Sequence, residues 1–202
     1  MRITFHSPNL RHWEAQATYK NQVLNGNVGA RSFYDDCYGS YARQMDHAAT
    51  AVHNAGVTVG DALICGVGAS YEEVLLVQGS FPDVKRIQLV DWHLPNLIGA
   101  KKLLKINQTL FKDLEFDLRH DDLRMLDART IPPLDFAFTN KVLDLFDELN
   151  QWHILKSLNG ALKPGGILFS FDYPFGAHEP GFNELAFSVG FDNISPRLYR
   201  KI

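Results

Sequence analysis

An open, mostly parallel α/β sheet with helices on both faces is predicted by three observations on this 202-residue chain. Short apolar runs alternate with longer segments of helical periodicity. The first central run, at 62–65, ends in a glycine turn, and the second, at 86–90, ends in Asp91.

Size and composition fit one such unit. With 46% hydrophobic residues the chain can bury a substantial core within a single cofactor-sized domain. The sequence divides into an N-terminal segment with a substrate-covering helix, 1–55, and a cofactor-binding core, 56–202, expected to form one compact unit. A net charge of -3 and a pI near 6.2 give no overall positive field for nucleic acid or an anionic membrane, so a small molecule is the expected partner. The two cysteines, Cys37 and Cys65, lack metal-ligand spacing, and no metal is expected. Sparse cysteine fits a reducing, cytoplasmic setting. The N-terminus has no signal-peptide core, and no apolar run reaches membrane-spanning length.

The elements follow in order. Residues 1–30 are polar, and the sequence does not place them. From 30 to 54, Phe33, Cys37, Tyr41, Met45 and Ala48 recur at helical spacing, with Gly56 as a terminal glycine. The strand at 62–65 leads through its glycine turn into a helix over 71–78. The strand at 86–90 leads into a helix from 95 to about 111, with Leu97, Ala100, Lys101 and Leu104 on one packing face. Runs at 114–118 and 134–139 supply the third and fourth strands. A helix over 147–162 leads into the turn Lys163-Pro164-Gly165-Gly166 and a fifth strand at 167–171. The tail predicts a helix over 182–189, closed by Gly190, and one strand within 191–198. Pro196 keeps that strand off an uninterrupted central position. Too few residues follow Asp192 for two ordinary strands, so a short C-terminal edge is expected.

The chemistry gathers where strands end. Gly66 and Gly68 permit positive backbone dihedrals and close approach of a ligand, and the helix beginning near Ser70 aims free backbone donors at it. The same glycines also suit an ordinary tight turn. Asp91, 25 residues after Gly66, can accept two hydrogen bonds from a ribose diol or cap the following helix. In His120-Asp121-Asp122-Leu123, Asp122 can accept from an adenine amine with Leu123 against the ring; a solvated acidic loop is the competing reading. Asp121 and Asp122 are adjacent, so their side chains diverge and do not form a glycosidase pair. Asn140, at the end of the fourth strand, can meet substrate or the cofactor's reactive end, or cap the next turn.

With these residues in this order, and with 154–168 (Ile-Leu-Lys-Ser-Leu-Asn-Gly-Ala-Leu-Lys-Pro-Gly-Gly-Ile-Leu) following, the chain resembles the class I S-adenosylmethionine-dependent methyltransferases from about 33 to 191. The resemblance implies a Rossmann-like sheet and S-adenosyl-L-methionine as cofactor. It implies that Gly66 and Gly68 adjoin the methionine portion, Asp91 holds the ribose, and Asp122 reads adenine, and Ser70 and Leu123 beside them are further cofactor-binding candidates. Two positions depart from the family pattern. Ile64 stands where an acidic residue is common, and Ser70 where a third glycine is common.

Two segments offer substrate walls. Tyr34, Tyr38 and Tyr41 share one helical face, which can cover a small organic substrate or anchor the helix to the sheet. After the fifth strand, His178 can remove a substrate proton and Tyr173 can orient it; a surface loop is the competing reading. Asn140, Tyr173 and His178 are therefore the catalytic candidates. The expected activity is methyl transfer to a small acceptor. Aminocarboxypropyl transfer, NAD-dependent oxidoreduction and an inactive interaction domain are the alternatives.

Overall fold

The computed structural model describes residues 1–6, 43–67, 72–140, 142–171 and 180–202. The strands are β1 Arg2–His6, β2 Asp61–Cys65, β3 Arg86–Asp91, β4 Glu115–His120, β5 Leu134–Asn140, β6 Leu162–Phe171, β7 Phe191–Ser195 and β8 Leu198–Lys201. The helices are α1, residues 43–54, then α2 Glu72–Ser80, α3 Leu94–Ile106, α4 Glu148–Ala161 and α5 Pro180–Ser188. All eight strands join one sheet in the order β1-β4-β3-β2-β5-β6-β8-β7. Neighbours are parallel except around β8, which runs antiparallel to β6 and to β7.

The apolar run of β2 explains its central place. Ala62 and Ile64 enter one core, and Leu63 and Cys65 enter the other. Met45, Ala48 and Val52 of α1, Val74 and Val77 of α2, and Leu97, Ala100 and Leu104 of α3 cover the first face. Ile154, Leu155 and Leu158 of α4, with Phe182 and Ala186 of α5, cover the second. Each large side chain so buried contributes about 1.5–3 kcal/mol, and a one-residue slip would exchange the two faces, which fixes the register.

Local signals set the helix ends. Gly56, at φ 73°, follows α1, where the positive dihedral suits glycine. Pro95 occupies the first turn of α3, where its missing N–H has no helical partner to lose. The carboxylate of Asp147 accepts from Asn150 N at 2.9 Å and caps α4.

Four local features differ from the sequence reading, the first being that α3 ends at Ile106 rather than near 111, with Asn107 as its C-cap and 107–113 in turns. Residues 2–6 form an edge strand, β1, parallel to β4. The Lys163-Pro-Gly-Gly segment lies inside β6, where the register with β5 shifts between Leu134 and Phe136. A Cβ on Gly166 would meet Lys163 O at 2.9 Å and Leu134 O at 3.2 Å, so the close backbone approach requires glycine there. The tail makes two short strands, not one, because only Pro196 and Arg197 are needed to turn between them.

Candidate active site at the carboxyl edge of the sheet

From β2 the chain moves outward through β3 and β4, then returns to add β5 and β6 on the other side of β2. The order reverses between β2 and β5, and ligands of open α/β sheets bind outside the carboxyl ends of strands at such a reversal. Gly66 follows β2, and Asn140 ends β5. The two flank the switch point.

Gly66 has φ 69°, its N–H donates to Val90 O at 2.8 Å, and a Cβ there would run into Val142 Cγ2. Both the dihedral and the close approach demand glycine. Ile64, at the position where the family pattern has an acid, is almost fully buried in the first core.

Asp91 is buried at the carboxyl end of β3. Its Oδ1 accepts from His93 N at 2.7 Å and its Oδ2 from Asn96 Nδ2 at 2.9 Å. These donors orient the Asp91 carboxylate just before α3, whose N-cap is His93.

Beyond β4, Asp122 is buried and caps the short 3-10 turn Leu123–Met125. Its carboxylate accepts from Arg124 N at 3.0 Å and pairs with the Arg124 guanidinium at 3.1 Å. Arg124 also donates to Asn150 Oδ1 at 3.0 Å, tying this loop to α4. Leu123 packs in the second core. Asp121 lies beside them, half-buried, with its Oδ1 accepting from Asp122 N at 2.8 Å. Burial pushes the Asp121 carboxyl above the usual range, against the lowering effects of that bond and of the nearby Arg119 charge.

Asn140 is buried, and its Nδ2 donates to Glu73 Oε1 at 3.1 Å. Its Oδ1 is buried with no hydrogen-bond partner among the described residues. A buried amide oxygen carries a desolvation cost until a donor meets it. Glu73, in the first turn of α2, is likewise buried and was not singled out by the sequence reading. Its only sequence signal is a carboxylate soon after the glycine turn.

Asp135 belongs to the opposite edge. Its Oδ2 accepts from Gly60 N at 3.0 Å and Asp61 N at 2.9 Å, and its Oδ1 accepts from Lys163 Nζ at 2.6 Å. The Asp135 bond is the main cause that raises the Lys163 ammonium above its ordinary range. Lys163 is therefore a structural tie between β5 and β6. Gly68, Ser70, Tyr34, Tyr38, Tyr41, Tyr173 and His178 lie outside the described residues.

Among solved structures, the chain is similar to the mitomycin 7-O-methyltransferase at 19% identity and a TM-score of 0.56, covering 89% of this chain and 58% of that one. An S-adenosylmethionine-dependent methyltransferase from Clostridium acetobutylicum ATCC 824 gives 14% identity and a TM-score of 0.50, covering 78% and 56%. The StiE O-methyltransferase domain gives 14% and 0.56, covering 76% and 53%. The chain spans a little over half the length of these proteins. No protein-family model matches it, and no curated protein matches it in sequence. The chain has the class I S-adenosylmethionine-dependent methyltransferase fold, with its mostly parallel Rossmann-like sheet. Among the described residues no helix is long and apolar enough to cross a membrane.

Proposed function

We propose that the protein binds S-adenosyl-L-methionine along the carboxyl edge of the sheet and transfers its methyl group to a small-molecule acceptor. The observation that carries this reading is the alignment of Gly66, Asp91 and Asn140 at the ends of three adjacent strands, with the buried Asn140 Oδ1 lacking a partner among the described residues. The likeness to methyltransferases in fold supports it.

The residues fit the cofactor in chemical kind. Gly66 supplies the positive-φ turn that ends β2, packed against Val142 where a side chain has no place. Asp91, already oriented by His93 N and Asn96, holds the ribose hydroxyls. The Asp121–Asp122 pair with Leu123 receives adenine, and Asp121 supplies the acceptor because Asp122 is engaged by Arg124. Asn140 Oδ1 accepts from the amino group at the methionine end, and Glu73, bonded to Asn140, adds negative charge there. This charge takes the place of the acid missing at Ile64. Gly68 and Ser70 are the further candidates for contact with the methionine portion.

The bound cofactor would supply an electrophilic methyl on its sulfonium. The protein then has to align an acceptor with that methyl, and alignment contributes much of the rate; a base is needed only for an acceptor that arrives protonated. Asn140, Tyr173 and His178 are the candidates for handling the acceptor, and Tyr34, Tyr38 and Tyr41 for covering it.

Isothermal titration with S-adenosyl-L-methionine tests the cofactor assignment. Saturable one-to-one binding is expected, and its absence from correctly folded protein would refute the proposal. Mass analysis of a turnover mixture then tests the transfer, with a methylated product and S-adenosylhomocysteine expected rather than methylthioadenosine.

A further inference from the structure

A cavity of about 330 Å³ opens between α1, Phe169 of β6 and the turn joining β7 to β8. Its volume is within the range of small-molecule sites. Because β8 is antiparallel to both β6 and β7, β7 runs parallel to β6. Ser195 therefore ends β7 at the carboxyl edge, on the same side of the sheet as Gly66, Asp91 and Asn140. The cavity also adjoins the candidate site through contacts: Asn140 is in register with Phe171, and the Arg197 guanidinium lies 4.3 Å from the centre of the Phe171 ring.

The lining is of two kinds. Ala48, Phe169 and Leu198 give an apolar floor, while Arg43, His47 and Arg197 bring cationic or protonatable groups to it. Arg43 and His47 are four residues apart on α1 and so share a face. No carboxylate is among the described lining residues. A polar rim of this sign over an apolar floor selects a ligand with an anionic group and a compact apolar body.

Arg197 is built into place. Its Nη1 donates to Gln44 Oε1 at 2.7 Å, and its carbonyl accepts from Ser170 N at 2.9 Å. Its backbone has φ 66°, and among the described residues it is the one non-glycine with a positive φ. Glycine would take that conformation without strain. A strained arginine held by the surrounding contacts, at the mouth of a cavity, points to a role for its guanidinium.

We propose that this cavity is the acceptor pocket and that it takes a small organic anion, a carboxylate or phosphate monoester, with Arg43 and Arg197 holding the charged group. Naming it the acceptor pocket rests on the methyl-transfer reading; the anion preference rests on the lining alone.

The test is an NMR titration of the full chain saturated with S-adenosylhomocysteine, using benzoate and phenyl phosphate as probes and benzamide as the neutral control. Benzoate or phenyl phosphate is expected to shift α1 and β8 resonances saturably, and benzamide at least tenfold more weakly. Arg197→Gly, which suits the backbone dihedral, is expected to keep the fold and the S-adenosylhomocysteine affinity while weakening the anions at least tenfold. Arg43→Gln is expected to weaken them in the same direction. Failure of both anions to bind, equal binding of benzamide, or unchanged anion affinity in Arg197→Gly would overturn the pocket while normal S-adenosylhomocysteine binding left the cofactor reading standing. Anion binding that depends on Arg197 in a protein that does not bind S-adenosylhomocysteine would overturn the acceptor assignment together with the cofactor reading.

Discussion

At Gly66 two separate constraints act on one residue, and each forbids a side chain. The positive φ costs an L-residue about 1–2 kcal/mol, and a methyl group would also displace Val142. Gly66→Ala is expected to lower stability by about 2–4 kcal/mol, read from the urea midpoint at unchanged slope. Asp121 poses the opposite case, a side chain whose present charge is unfavourable. Burial raises its folded pKa above the ordinary 3.8, so the folded state holds the proton more tightly than the unfolded chain does. Stability linked to this group is therefore fully present below the unfolded value and is lost as pH rises through the raised folded value. Asp121→Asn keeps an acceptor for Asp122 N but carries no charge. Its stability relative to the parent is expected to rise with pH from about 4 upward and then level off. If Asp121 meets adenine, the same variant should bind S-adenosylhomocysteine about tenfold more weakly, roughly 1.4 kcal/mol. Unchanged affinity in Asp121→Asn and a loss in Asp122→Asn would return the adenine role to Asp122.

Among the elements, the tie at the amino edge shows how a side chain can join strands that are distant in sequence. Asp135 at the start of β5 accepts two backbone N–H groups at the start of β2 and the ammonium of Lys163 in β6. Asp135→Ala leaves those partly buried donors without their acceptor and is expected to cost about 2–3 kcal/mol, measured by chemical denaturation. Lys163→Ala removes only the more exposed partner and should cost less. The central strands were legible because β2 carries the apolar run 62–65 and β3 the apolar residues Ile87, Leu89 and Val90, each strand followed by a helical pattern. β1 was not, since Arg2 and Thr4 are exposed and its partner β4 lies more than 100 residues away. The β7–β8 pair was hidden for another reason: its turn uses Pro196 and Arg197, where glycine or asparagine would have advertised the positive φ. The site divided in the same way. Gly66, Asp91, Asp122 and Asn140 could be found from their places after strands. Their partners Glu73, Asn96 and Arg124 depend on side-chain directions that spacing does not give. The Arg43–Arg197 juxtaposition joins opposite ends of the chain and had no local signal.

In the whole molecule, both cores share one sheet, so the two helical layers are expected to unfold together. The proposed cofactor residues, however, come from the ends of β2, β3, β5 and the loop after β4, where the backbone leaves the sheet. Such edges open locally more easily than central strands, and a ligand that bridges them should slow that opening. S-adenosylhomocysteine at one hundred times its dissociation constant is expected to add about 2.7 kcal/mol to global stability. Hydrogen exchange separates this global effect from the local one. Amides following β2 and β4 should gain protection first, at ligand levels where the β5 centre still exchanges as in the free protein. A gain confined to α5, or spread evenly over both layers with no early response at the carboxyl edge, would place the ligand elsewhere. The sheet would then be only a scaffold, and the aligned strand ends would have no part in holding the cofactor.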